Sequence, residues 1–256
     1  MSGLNARTDE AKTACDAASL RHGISGAVDP RDWIFWFLYN LAVFPSKVAA
    51  IDTYFADGAD CARKLRALVE EQRPIAGAQI LEFAAGYGRV TRHLRKVVPE
   101  ADLLARDIHP DAVAFIRGQL ATAAVGSVDE PEKLDLGRRF DVVFVLSFFS
   151  HLPQSSWRRW LLALAAHAAA GGLLIFTTHG ERSRLNLGNP AIGADGFWFK
   201  TESEQQDLPA DEYGSAITLP AYVLGQLAGI PDVRLVRFQE GFWWGHQDVY
   251  ILRRSP

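Results

Sequence analysis

Cysteine is nearly absent: Cys15 and Cys61 are the only two in 256 residues. Two thiols cannot build a disulfide framework and their separation fits no metal-ligand spacing, so the chain reads as cytoplasmic with unpaired thiols. Positive charge is not in excess. The formal net charge is −3 and the pI about 6.2, which excludes the basic footprint of a nucleic-acid binder and makes an anionic surface a poor partner. A membrane-spanning run is missing too. The aromatic stretch "WIFWFLYNLAVF", Trp33 to Phe44, is short of the roughly 20 apolar residues a spanning helix needs and contains Asn40. Only Arg31 and Lys47 flank it, too little cationic character for an interfacial helix, so a buried helix is expected there and no membrane insertion. The start, "MSGLNARTDEAKTACDAASLRHG", lacks the apolar core of a signal peptide. Internal repeats and low-complexity segments are also lacking.

What is present is enough apolar material for a full core. With 48% hydrophobic and 22% charged residues, the chain suits one sizeable domain or a domain with a small appendage. Up to residue 74 the pattern is helical: "ADCARKLRALVEEQ" puts Cys61, Leu65, Leu68 and Val69 on one face, which predicts an N-terminal helical cap over 1–74. From Ala78 short apolar runs alternate with amphipathic segments: "AQILEFA", "RVTRHLRKVV", "ADLLARDI", "PDAVAFIRGQL". That alternation predicts strand-helix units and a parallel sheet, an α/β domain over 75–256. A weak strand near "TAAVGS" follows, then "FDVVFVLSF", whose continuous apolar run implies burial on both faces. In "SSWRRWLLALAAHAAAGG" the residues Trp157, Trp160, Leu161 and Leu164 form a helical stripe, with the serines as N-cap and the glycine pair as terminator. A fifth strand, "LLIFTTH", comes next. Residues 180–232 break the rhythm and read as an insertion with one helix near "PAYVLGQLA"; "VRLVRFQEGFWW" and "HQDVYILRR" then read as an antiparallel hairpin turning at Gly245.

The segment "ILEFAAGYGRVTRHL", Ile80 to Leu94, joins a strand to a helix through glycines, an arrangement that lets a ligand approach backbone N–H groups closely. A dinucleotide fingerprint counted from Gly86 would need a small residue at Thr91, and the acid before the glycines would repel a pyrophosphate. The acid argues for a cation. Here the chain resembles class I methyltransferases, whose first motif is an acid at the end of the first strand followed by a glycine-rich loop: Glu82, Phe83, Ala84, Ala85, Gly86, Tyr87, Gly88, with Ala84 where the family usually has its first glycine. The resemblance implies a doubly wound, mostly parallel seven-stranded sheet with an antiparallel C-terminal hairpin, and S-adenosylmethionine as cofactor with S-adenosylhomocysteine as product. It implies that Glu82 holds the cofactor ammonium and that the backbone of Ala84, Ala85, Gly86, Tyr87 and Gly88 wraps the methionine and ribose. Asp107, 25 residues past Glu82, ends the second strand and can accept bonds from ribose hydroxyls, with Ile108 beside the adenine. Ser127 and Val128 follow the third strand near the adenine amine, with Asp129 as substitute, and Ser147 and Phe148 follow the fourth. Singly, Glu82 also reads as a solvated strand end and Asp107 as an N-cap for the helix at Pro110.

Methyl transfer from a sulfonium needs alignment and, for a hydroxyl acceptor, a base. His151 in "LSFFSHLP" and His179 in "FTTHG" stand at the tips of the fourth and fifth strands as rival candidates, each with a structural alternative as a turn or loop histidine. The fourth-strand loop, Ser-Phe-Phe-Ser, carries neither the Asn/Asp-Pro-Pro-aromatic motif of base methylation nor the paired glutamates of arginine methylation, and no acidic metal cluster is evident. The expected acceptor is a small molecule or glycan. Phe197, Trp198 and Tyr213, with the carboxylates and amides of the insertion, suit a sugar ring or equally read as an acidic solvated loop, and Trp243 and Trp244 border the same pocket or pack in the hairpin. The layout "GFWWGHQDVYIL" after the last helix is similar to bacterial methyltransferases found beside glycan-building enzymes. Tyr39 and Tyr54 of the cap close over the cofactor or belong to a homodimer surface. The expectation is a methyltransferase, with O-methylation of a small-molecule or sugar acceptor; the alternatives are an NAD(P)-dependent oxidoreductase and a non-catalytic S-adenosylmethionine-binding protein.

Overall fold

The computed structural model describes residues 2–202, 205 and 208–256, with side chains from residue 9 onward. In chain order the helices are α1 (Ser2–His22), α2 (Trp33–Asn40), α3 (Lys47–Glu70), α4 (Thr91–Val97), α5 (Pro110–Gln119), α6 (Gln154–Ala166) and α7 (Pro220–Leu227). The strands are β1 (Gln79–Phe83), β2 (Asp102–Asp107), β3 (Ala123–Gly126), β4 (Phe140–Val145), β5 (Ala168–His179), β6 (Phe197–Lys200), β7 (Ser215–Thr218), β8 (Val233–Trp243) and β9 (Gln247–Arg254). Seven of them form one sheet in the order β3-β2-β1-β4-β5-β9-β8, and β6 and β7 make a separate two-stranded ribbon. The β2/β3, β1/β4 and β4/β5 pairs are parallel; β5/β9 and β9/β8 are antiparallel. This is the doubly wound α/β architecture with a terminal hairpin that the alternating texture predicts. No helix among the described residues is long and apolar enough to cross a membrane.

The chain divides into two compact units, residues 1–77 with 85–126 and residues 78–84 with 127–256. In the first, α1, α2 and α3 bury Ala14, Cys15, Ala18, Phe35, Ile51, Tyr54 and Phe55 in one cluster. The aromatic stretch forms α2 because Asp32 caps it, its Oδ1 accepting from the Phe35 N–H at 3.0 Å while Oδ2 accepts from the Tyr54 hydroxyl at 2.6 Å. Tyr39 and Tyr54 are buried members of this core, so neither is a surface group. On α3 the expected face of Cys61, Leu65, Leu68 and Val69 is buried throughout.

In the second unit β4 is buried along nearly its whole length, as its apolar run requires. The segment after it departs from the sequence expectation. Helix α6 starts behind Pro153 with no side-chain cap from the serines and ends at Ala166, and the glycine pair lies inside β5. The pairing jumps from Phe140↔Ala168 to Val142↔Leu173, a bulge that Gly171 accommodates with φ +72°. A Cβ on Gly172 would press against Ala169 and the Phe140 carbonyl at 2.9 Å, so the glycines serve the sheet and terminate no helix. The insertion holds α7 as expected and also the β6–β7 ribbon, which the sequence reading did not include. Ser203, Glu204, Gln206 and Asp207 of the insertion's polar run lie outside the described residues.

Candidate functional site

In the first unit the glycine loop and Asp107 are tied together. The Gly86 N–H donates to Asp107 Oδ2 at 2.7 Å, while Asp107 Oδ1 accepts from the His109 N–H at 2.9 Å and lies 2.8 Å from His109 Nδ1. The carboxylate is buried, and it braces the loop and does not cap α5, whose N-cap is His109. Gly86 and Gly88 both lie in the left-handed region, at φ +55° and +72°. A Cβ on Gly86 would meet nothing, so that side of the loop is open to a ligand, whereas one on Gly88 would collide with Leu120. The Gly88 N–H closes the turn on the Ala85 carbonyl at 3.0 Å. Tyr87 turns its ring to Phe115 at 5.8 Å and burial pushes its hydroxyl up to about 12, while Ile108 keeps 38% of its surface exposed.

In the second unit Glu82 lies on β1 opposite Phe144, 4% exposed, which replaces the reading of a solvated strand end with a buried acid. Burying a carboxylate is costly, so its retention points to a role. Phe83 next to it packs on Phe148 and Trp160, and Ala84 carries φ +58°. Ser127 and Val128 are half-buried; the Ser127 hydroxyl has no hydrogen-bond partner among the described residues. At the tip of β4, Ser147 also has positive φ, +56°. Its N–H donates to Thr177 Oγ1 at 2.8 Å and its Oγ accepts from Gln247 Nε2 at 2.6 Å, while Thr177 Oγ1 donates to Gln247 Oε1 at 2.8 Å. Gln247 Nε2 also lies 3.3 Å from His179 Nε2.

The two histidines differ in chemistry. His151 Nδ1 donates to the Gly214 carbonyl at 2.7 Å, which places the lone pair on Nε2, and its ring stacks on Tyr213 with centroids 4.6 Å apart. The insertion is fastened there by the Gly214 N–H on the His151 carbonyl and the Ala216 N–H on the Ser150 carbonyl. For His179, desolvation and then the neighbouring His151 and His246 rings pull the pKa down to about 3, leaving a neutral imidazole at physiological pH. The ring centroids of His151 and His179 are 6.1 Å apart.

Residues 81–174, the segment that carries the glycine loop, Asp107 and β4, match a family model described as a methyltransferase domain. That segment is similar to a methyltransferase domain, and the seven-stranded sheet has the class I methyltransferase fold. No curated protein sequence matches the chain. Among solved structures, the chain is similar to magnesium protoporphyrin IX methyltransferase from Synechocystis with bound S-adenosylhomocysteine, at TM-score 0.58 and 13% identity over 86% of this chain and 93% of that one. It is similar to the glycopeptide N-methyltransferase MtfA complexed with S-adenosylhomocysteine, at TM-score 0.56 and 17% identity over 78% and 90%. A third, the N-terminal domain of EvdMO1 in the presence of S-adenosylhomocysteine and D-fucose, gives TM-score 0.51 and 20% identity over 78% and 83%. At these identities the likeness concerns the fold.

Of the two readings of the hairpin tryptophans, Trp243 takes the packing one, fully buried against Phe144 and Phe242; Trp244 stacks on His246. Phe197 packs on Tyr222, while Trp198 and Tyr213 remain half-buried. Thr177 and Gln247 are the groups that sequence reasoning missed. The available signal was the polar pair Gln247-Asp248 opening a strand that is otherwise buried and apolar.

Proposed function

We propose that this chain is a methyltransferase that binds S-adenosylmethionine and methylates a hydroxyl of a small, sugar-like acceptor, releasing S-adenosylhomocysteine. The observation that carries the cofactor assignment is the Gly86–Asp107 bond: it ties the buried carboxylate that ends β2 to an open left-handed glycine in the loop after β1. The residues present fit the group. Asp107 has the acceptor chemistry for ribose hydroxyls, exposed Ile108 an apolar face for adenine, the unpartnered Ser127 hydroxyl a donor and acceptor for its edge, and buried Glu82 a counter-charge for the ammonium. When bound, the cofactor supplies an electrophilic methyl on a sulfonium. The chain's task is alignment, and His151 Nε2 would take the proton of the acceptor hydroxyl. His179, with its depressed pKa, orients polar groups and takes no proton. A sugar-like acceptor is supported by the half-buried Trp198 and Phe199 of β6 and by Tyr213, which offer ring faces beside polar groups.

The test is calorimetric and catalytic. Glu82→Gln should weaken S-adenosylhomocysteine binding about tenfold or more, the scale of one desolvated charge contact. Across a panel of hydroxylated sugars, His151→Gln should lower kcat by about 10²–10⁴ with little change in cofactor affinity, while His179→Gln retains the pH profile. A nicotinamide dinucleotide released from the purified protein would overturn the cofactor assignment. Tight binding without turnover on any acceptor would leave a non-catalytic binder.

A further inference from the structure

Arg92 occupies the first turn of α4, directly behind the glycine loop, and is only 3% exposed. A cation at a helix N-terminus opposes the helix dipole, so its burial there needs a compensating arrangement. The guanidinium makes four hydrogen bonds, all to backbone carbonyls: Nε to Gly88 at 3.0 Å, one terminal nitrogen to Tyr87 at 3.2 Å, and the other to Ser25 at 3.0 Å and Ala27 at 2.8 Å. It also lies over the rings of Tyr54 and Phe55, at 5.7 and 5.4 Å from their centroids. Its charge is felt by buried Asp32, the residue that caps α2 and holds the Tyr54 hydroxyl.

One side chain therefore grips the cofactor loop with one half of its fork and the segment between α1 and α2 with the other. Because peptide groups are planar, holding the Tyr87 and Gly88 carbonyls also fixes the N–H groups of Gly88 and Arg89. A second contact runs in parallel: a Cβ on Gly58 of α3 would collide with the Arg89 carbonyl oxygen, so the cap helix touches the loop's exit backbone directly. With most of its donors committed to carbonyls, Arg92 is not placed as a ligand for an anion.

We infer that Arg92 is a positioning residue joining the N-terminal cap to the cofactor loop, so that order in residues 24–32 and cofactor affinity are two sides of one equilibrium. This rests on the proposed S-adenosylmethionine site. By linkage, whatever factor the cap contributes to affinity, bound cofactor must return as protection of the cap.

Hydrogen exchange and calorimetry on the full chain, with S-adenosylhomocysteine as probe, test it. In the wild type, saturating S-adenosylhomocysteine should slow exchange over residues 24–32 by tenfold or more. Arg92→Lys, which keeps the charge and loses the fork, should weaken binding about tenfold and abolish that protection. Gly58→Ala, which leaves Arg92 intact and wedges α3 off the loop, should do the same in smaller measure and covers the case in which the Arg92 variant folds poorly. A merely structural Arg92 would lower thermal stability in Arg92→Lys while leaving affinity and cofactor-dependent protection as in the wild type; that result overturns the inference. Binding to the wild type without protection of residues 24–32 overturns it as well and leaves the proposed function standing. No binding to the wild type removes both.

Discussion

Ala84 and Ser147 are two non-glycine residues held at positive φ, +58° and +56°, each immediately beyond or within two residues of a strand's end. An L-residue in the left-handed region pays about 1–2 kcal/mol, and such strain persists where the surroundings over-determine it. Ala84→Gly should therefore raise stability by about 0.5–1 kcal/mol in urea melts, the relief being partly offset by the larger entropy of glycine in the unfolded chain. Ala84→Val should lower it by more than about 1 kcal/mol, since a β-branched residue fits that region worst. Glu82 and Asp107 were legible from sequence because an acid at a strand tip before or after glycines has few uses. Arg92 was not, because its partners are backbone carbonyls, and any residue type supplies those. Gln247 was hidden for a related reason: its partners Ser147, in the loop just past β4, and Thr177, on β5, are far along the chain.

Among the elements, β9 shows how far periodicity reaches. It is the inner strand of the antiparallel pairings, buried from Gln247 to Leu252, with Asp248 opposite Thr178. Its Oδ1 accepts from the Gly241 N–H at 2.8 Å, Oδ2 has no hydrogen-bond partner among the described residues, and desolvation pushes the pKa up to about 6. A folded-state pKa above the unfolded value of about 3.9 penalises the fold once the group ionises, in full above about pH 6. Asp248→Asn keeps the Oδ1 acceptor and removes the penalty. The gain expected in denaturant melts is about 1–3 kcal/mol at pH 7.5, shrinking to about half by pH 5. The hairpin itself was readable from Gly245 between two β-rich runs. The bulge in β5 was not, because a glycine pair after an apolar helical stripe looks the same whether it ends a helix or kinks a strand; only the pairing with β4 decides. The β6–β7 ribbon was too short for its alternation to stand out from the polar insertion around it.

At the scale of the whole molecule, one contribution to acid stability comes from imidazoles kept neutral. His93 is pulled down to about 3 by burial and then by Arg92, and His179 reaches about 3 by burial and its histidine neighbours. Their folded pKa values lie below the unfolded value of about 6.5, so the unfolded chain takes up two more protons as pH falls through 6.5 and stability is lost from there toward pH 3. Asp248 works in the opposite direction below pH 6 and offsets about one of those protons; buried Asp32 and half-buried Asp57 act in the same sense, while His22 and His246 act with His93 and His179. Between pH 6 and 4 the Asp248→Asn variant should therefore lose about 1.4 kcal/mol per pH unit more than the wild type, measured by urea unfolding at each pH. The fold class was legible at this scale because strand-helix alternation and a glycine loop survive in any one sequence.

Both thiols of the chain lie in the N-terminal helices, Cys15 on α1 and Cys61 on α3, both buried, and burial lifts Cys15 to about 11. A thiolate is the reactive form, so neither sulfur is open to an alkylating or disulfide-exchange reagent while these helices stay packed. The chain thus has a built-in clock: the rate at which it accepts a thiol label times how often its first three helices come apart.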